Sequence, residues 1–200
     1  MSRNAYVDLC VHLQSLRRIA EEAKSPLVPA LGVAGSVYTH QVANVLRVLT
    51  DIRVRHLLAD EVGLGKTIQA LMILNALRRQ RRDLRALVVV PDTALMVQWR
   101  DELMTRAHTT PFETHTPGEG QYVRLAWEEQ LRKKGQDGEP LFSLGDIDPD
   151  RYQVLIVDEM HRLRGDVKDR IVRVAAAFEH VLILTQVFNL KLFVACLFLS

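Results

Sequence analysis

The chain has 200 residues, 48% hydrophobic and 25% charged, with 26 basic against 24 acidic side chains for a net charge of +2. That balance excludes a polybasic nucleic-acid tail as the main feature, and the apolar share excludes intrinsic disorder. Such a length, one domain or a single lobe of something larger, buries roughly 70% of its unfolded surface, so the core needs no staples.

Cys10 and Cys196 lie near opposite ends without metal-ligand spacing. The expectation is two free thiols in a reducing cytoplasm. The first 25 residues interleave Arg3, Asp8, Arg17, Arg18, Glu21 and Glu22 with apolar positions, so no secretory hydrophobic region is present. Residues 4–24 carry apolar side chains at helical spacing, Pro26 and Pro29 stop the pattern, and residues 32–36 read as a connector.

A second helix is predicted over 40–50, then a short strand at 56–59, a glycine turn and a helix over 67–77. Residues 84–90 form a β-branched apolar run ended by Pro91, the profile of a strand buried on both faces. Helical spacing returns over 95–107. A Thr, Pro and Gly-rich loop is predicted at 109–120, a helix over 122–134 and another loop at 135–150. A strand at 154–157, a helix over 169–178 and a strand at 181–184 follow. Strands alternating with helices predict an α/β fold, a parallel sheet flanked by helices on both faces. Ligands then bind at the carboxyl ends of the strands.

The run 181–199 is apolar except for Thr185, Gln186, Asn189 and Lys191. A membrane span takes about 20 apolar residues, but Lys191 near its middle would cost roughly 3 kcal/mol. A buried strand with an irregular end is the expectation, and a membrane-tethered chain is the rival that fractionation would settle.

The most informative segment is Ala59-Asp60-Glu61-Val62-Gly63-Leu64-Gly65-Lys66-Thr67. Gly63 and Gly65 permit a tight turn whose N–H groups converge into an anion-binding concavity, to which the next helix adds its positive end. Lys66 can reach the β- and γ-phosphates, and Thr67 offers a hydroxyl to Mg²⁺. Asp60 stands where GxxxxGK[ST] has its first glycine. The bland alternative is a turn with a chance Gly-Lys-Thr. The run Val154-Leu155-Ile156-Val157 enters Asp158-Glu159-Met160-His161. Two carboxylates ending a buried strand are costly unless a metal or solvent compensates them. Asp158 is placed to hold Mg²⁺ opposite Thr67, and Glu159 to orient and deprotonate an attacking water. Alone, the acids read equally well as caps of a solvated turn.

Asp60 through Thr67 followed by Ile68-Gln69-Ala70 resembles motif I of the Swi/Snf-like ATPases of helicase superfamily two. That family also has an aspartate in place of the first glycine, and the Val62 version is similar to its bacterial RNA-polymerase-associated branch. Leu87-Val88-Val89-Val90-Pro91 through Gln98-Trp99 and Glu102-Leu103 resembles motif Ia, and Asp158-Glu159-Met160-His161 resembles the DEAH box with Met160 for alanine. His40-Gln41 resembles the upstream adenine-reading element, and residues 182–185 resemble the start of motif III.

The resemblance implies a RecA-like P-loop lobe over 37–185, after an N-terminal helix and connector at 1–36 and before an atypical apolar end at 186–200. It implies ATP and Mg²⁺ as cofactors, translocation on duplex DNA as the activity, and a protein complex such as RNA polymerase as a further partner. By carry-over, Lys66 and Thr67 bind phosphate and Mg²⁺, Asp158 binds Mg²⁺, Glu159 is the base with Lys66 as the other catalytic residue, and Gly63, Gly65 and Asp60 belong to the nucleotide-binding set. Gln41 would read adenine, His161 would couple the nucleotide to motif III, and Trp99 is expected in the core. Two departures stand out. Met160 adds bulk beside the acids, and Thr185 is followed by Gln186-Val187-Phe188, where the pattern has a small residue and Thr-Pro. The chain thus reads as truncated or frameshifted near Thr185, lacking the second lobe and its arginine finger. Weak Mg-ATP binding with slow or no hydrolysis is expected of it. The rival from another class is a catalytically incompetent nucleotide-binding or interaction fragment. A small-molecule P-loop kinase fits the loop but neither the acidic box nor the block at 91–99.

Overall fold

The computed structural model describes residues 32–33, 38–59, 63–112, 118, 120–132 and 147–186. The expected helix over 4–24, both cysteines, Asp60 and the apolar run from 187 lie outside the described residues.

Helix α1 (Thr39–Leu49) buries Val42, Val45 and Val48, spaced three apart on one face. It leads to β1 (Arg55–Leu58) and then to α2 (Lys66–Gln80), buried along most of its length from Gln69 to Leu77. Strand β2 (Ala86–Val90) is wholly buried, and α3 (Thr93–Arg106) starts where the Asp92 carboxylate accepts the Leu95 N–H at 2.9 Å. That side chain satisfies one of the donors every helix N-terminus exposes. Next come β3 (Val123–Trp127), the short α4 (Glu128–Arg132), β4 (Val154–Asp158), a 3₁₀ turn (Met160–Arg162), α5 (Gly165–Ala175) and β5 (His180–Leu184).

All five strands are parallel, in the order β1-β5-β4-β2-β3. Period-two alternation divides the core. Val88, Val90, Ile156, Leu182 and Leu184 pack on α1, α2 and α3, while Leu87, Val89, Leu155, Val157 and Ile183 pack on α4 and α5. The α/β fold with helices on both faces is as expected. The strand expected at 181–184 is buried throughout, and no described helix is long and apolar enough to cross a membrane.

The helix expected over 122–134 is a correction. Val123–Trp127 is the outer strand β3, paired with β2 from Ala86↔Val123 to Val90↔Trp127, and only Glu128–Arg132 is helical. Along β3, Val123 and Leu125 join the first core and Ala126 the second, a period of two. Arg124 between them masks the alternation, although it is itself buried. Helix α5 also begins at Gly165 rather than 169 and ends at Ala175 rather than 178.

At the opposite end of the sheet, His180 is buried at the start of β5, and its Nδ1 accepts the Val54 N–H at 3.0 Å. Accepting that bond requires an unprotonated Nδ1. Burial lowers the His180 pKa, and Arg53, Arg55 and Arg81 lower it further against the opposing pull of Glu179. A depressed folded-state pKa means stability is full above the unfolded value, near 6.5, and is lost as pH falls below it. Urea midpoints should therefore drop between about pH 7 and 5. His180→Gln, which keeps an acceptor but cannot be protonated, should flatten that slope. An unchanged slope would remove His180 from the account.

Candidate nucleotide-phosphate site

The site lies where β1 and β4 end. These strands are not neighbours, because β5 runs between them, and Leu58 and Asp158 both pair with Leu184. The last residues of the two strands are therefore level, about 10 Å apart across β5. The end of β1 and the acids at the end of β4 consequently lie at the same end of the sheet.

Gly63 and Gly65 have φ of +82° and +76°, the left-handed region open to glycine. At Gly65 the need is double, since a Cβ there would sit 2.2 Å from Gln41 Nε2. Gln41 is 1% exposed. Its Nε2 donates to the Leu64 carbonyl at 2.9 Å, and its Oε1 accepts the Tyr38 N–H at 3.0 Å. The Asn44 amide donates to Gln69 Oε1 at 3.2 Å. Helix α1 is thus tied to the glycine loop and to α2. The Gln41 amide, expected to read adenine, has both ends engaged within the chain.

Lys66 opens α2, whose first turn carries no acidic residue, so no carboxylate of that turn neutralises the positive end of the helix dipole. Its side chain is buried, and its positive charge favours the charged form of the Asp158 carboxylate. Thr67 follows, half-buried.

Asp158, the buried last residue of β4, accepts twice. Trp99 Nε1–H donates to Oδ2 at 2.8 Å, and the Glu159 N–H donates to Oδ1 at 2.8 Å. Burial raises the Asp158 carboxyl above its ordinary range, and the Glu159 charge adds to this. The Trp99 bond, the Glu159 N–H and Lys66 work in the opposite direction. A buried carboxylate disfavoured in this way gains from a cation. Together with the Thr67 hydroxyl it is a hard-oxygen pair of the kind Mg²⁺ takes when phosphates and waters complete its shell. Among the described residues no cluster of three metal-ligating side chains exists. Two such oxygens leave the rest of a Mg²⁺ shell to phosphate and water.

Glu159 adopts φ +47° and ψ +44°, a costly conformation for a residue with a side chain. Its Oε1 accepts from Gln186 Nε2 at 3.0 Å. Its Oε2 is buried with no hydrogen-bond partner. His161 Nδ1 lies 3.2 Å from that oxygen but hydrogen-bonds to Thr185 Oγ1 at 3.0 Å. His161 thus joins the acidic turn to Thr185, just beyond β5. Met160 is fully buried in the second core, so its bulk faces the interior. Arg162 donates to Asp92 at 2.5 Å, joining the same turn to the start of α3.

Sequence reasoning missed the Trp99 bond to Asp158 and the Gln186 bond to Glu159. Trp99 was expected in the core, and it is there with no exposed surface. Several arginines lie at the far end of α2. Arg78 covers the Tyr122 ring at 4.1 Å, and Arg81 pairs with Asp83 and Glu179.

The family model of the type III restriction enzyme res subunit matches residues 34–187. The chain is 37% identical over 161 residues to the RNA polymerase-associated protein RapA of Photobacterium profundum, covering 72% of this chain and 15% of that protein. The RapA of Vibrio cholerae is 35% identical over 159 residues with the same coverage, so the chain spans about 15% of the length of these relatives. Among solved structures, the Sulfolobus solfataricus SWI2/SNF2 ATPase core in complex with dsDNA superposes with a TM-score of 0.62 at 16% identity, covering 83% of this chain and 36% of that one. The helicase MrfA bound to DNA and AMPPNP gives 0.57 at 18% identity, with 86% and 27% covered. The chain belongs to the helicase family of the type III restriction enzyme res subunit and carries the N-terminal lobe of its Swi/Snf-like, superfamily-two type.

Proposed function

We propose that this lobe binds Mg-ATP for a translocase that couples hydrolysis to movement on duplex DNA. The observation that carries the reading is the shared level of Leu58 and Asp158 on either side of Leu184, with Lys66 opening the helix that follows β1. The Gly63–Gly65 turn and the start of α2 would cradle the phosphates, with Lys66 on the β- and γ-oxygens. Thr67 and Asp158 would hold Mg²⁺, which supplies charge neutralisation when bound. Glu159 would orient a water and take its proton as the water oxygen bonds to the γ-phosphorus. The bond from that phosphorus to the β–γ bridging oxygen then breaks, releasing ADP. The His161–Thr185 bond would carry the state of the site to the end of β5.

Duplex DNA is the proposed track, in keeping with the nucleic acid in the Sulfolobus and MrfA structures. The exposed start of α3 after Pro91 is its proposed contact. RNA polymerase is a proposed partner on the strength of the RapA relatives, and the proposed setting is cytoplasmic. A second reading, nucleotide binding without turnover, is favoured by the engagement of Glu159 with Gln186.

Hydrolysis of Mg-ATP by the purified chain, with and without duplex DNA, separates the two. DNA-stimulated turnover that falls about 100-fold or more in Glu159→Gln supports the translocase reading. Binding without turnover supports the second. Turnover indifferent to Glu159 overturns the assignment of the base.

A further inference from the structure

Gln186 is the first residue beyond Thr185, and it leaves the pattern that the preceding residues follow. Its Nε2 donates to Glu159 Oε1 at 3.0 Å across 27 positions of chain. Oε2 of the same carboxylate is buried without a hydrogen-bond partner, and the Glu159 side chain is only 12% exposed. A general base needs a lone pair directed at the water it deprotonates. Here one lone pair of Oε1 is taken by an amide, and Oε2 is closed to solvent with His161 Nδ1 3.2 Å away. The left-handed backbone at Glu159 limits where the carboxylate can turn, since Asp158 is held in β4 by two hydrogen bonds and Met160 is anchored in the core. Gln186 itself is exposed, so its amide lies on the open side of the base.

We propose that Gln186 is an inhibitory positioning residue, a latch whose amide takes the place of the attacking water on Glu159. The proposal rests on the reading of Glu159 as the base. The chain then binds Mg-ATP with the glycine loop and Lys66 intact, and turnover waits on release of the amide. A residue that merely oriented the base would act in the opposite sense, since its removal would slow the reaction.

The test measures single-turnover hydrolysis of radiolabelled ATP and binding of a fluorescent N-methylanthraniloyl ATP on the whole chain. Gln186→Ala and Gln186→Met, the second keeping length without a donor, are expected to hydrolyse on the order of tenfold faster than the wild type. Their nucleotide dissociation constants should stay within about twofold, and the gain should vanish in the Glu159→Gln background. Equal or slower hydrolysis overturns the latch, including the case where variant and wild type both remain at background. A gain that persists without Glu159 overturns it as well. Failure of the latch leaves turnover that still depends on Glu159, whereas failure of the underlying reading leaves turnover unchanged in Glu159→Gln.

Discussion

Trp99→Ala is expected to cost about 3–5 kcal/mol of folding stability, among the largest effects of any single change in this chain. The indole has no exposed surface and fills the space between α3 and the sheet, in the same core as Leu71, Leu74 and Leu103. Its loss opens a cavity and strips the buried Asp158 Oδ2 of its donor. A domain of this size has roughly 5–15 kcal/mol in total, so the variant is close to unfolding. Trp99→Phe separates the two contributions. Most of the volume stays, the N–H goes, and a loss of about 1–3 kcal/mol is expected. The hydrogen bond also favours the charged carboxylate, so its removal lets burial raise the Asp158 carboxyl further. Trp99→Phe should therefore weaken Mg²⁺-dependent nucleotide binding in a protein that still folds. Urea unfolding and a Mg²⁺ titration check both halves, and a phenylalanine variant unchanged in either would reduce Trp99 to packing alone.

Asp158→Asn should destabilise the nucleotide-free chain, the reverse of what charge alone predicts. Because burial disfavours the carboxylate, a neutral replacement relieves one cost. Yet both oxygens are acceptors, one for Trp99 Nε1–H and one for the Glu159 N–H. Asparagine has a single acceptor and must turn its NH₂ group on one of those donors. It also removes the negative charge that the buried Lys66 favours electrostatically. Two penalties against one relief give a net loss of about 1–3 kcal/mol, or roughly 2–4 °C in Tm for each kcal/mol. The same variant should lose the Mg²⁺ dependence of nucleotide binding. A raised melting temperature would show that relief of the buried charge outweighs the geometry.

The parts of the site that were legible in the sequence are those whose signal is local. Gly63, Gly65, Lys66 and Thr67 are neighbours in the chain, and the turn they make needs only glycine freedom and a helix start. Strands β2 and β4 were legible because burial on both faces leaves an unbroken apolar run. β3 was not, since Arg124 interrupts its pattern and its place at the sheet edge is decided by register with β2, some 37 residues earlier (123 minus 86). Contacts that join distant segments leave no trace in spacing. Trp99 and Asp158 are 59 residues apart, and nothing in a helix containing Gln98-Trp99 announces which carboxylate the indole will meet. Gln41 was legible as important but not in what it does, because its partners, the Tyr38 N–H and the Leu64 carbonyl, are backbone groups that every sequence possesses.

Calorimetric titration of ATP into the wild-type chain and Lys66→Ala, each with Mg²⁺ and with the metal chelated, bears most directly on whether one ammonium and one buried acid serve the same nucleotide. The wild type should bind with Mg²⁺ and weaken on chelation, and Lys66→Ala should lose about 10- to 100-fold, the value of a charge-assisted bond to phosphate. Equal affinity for the two proteins, or binding of ATP indifferent to Mg²⁺, would contradict the account.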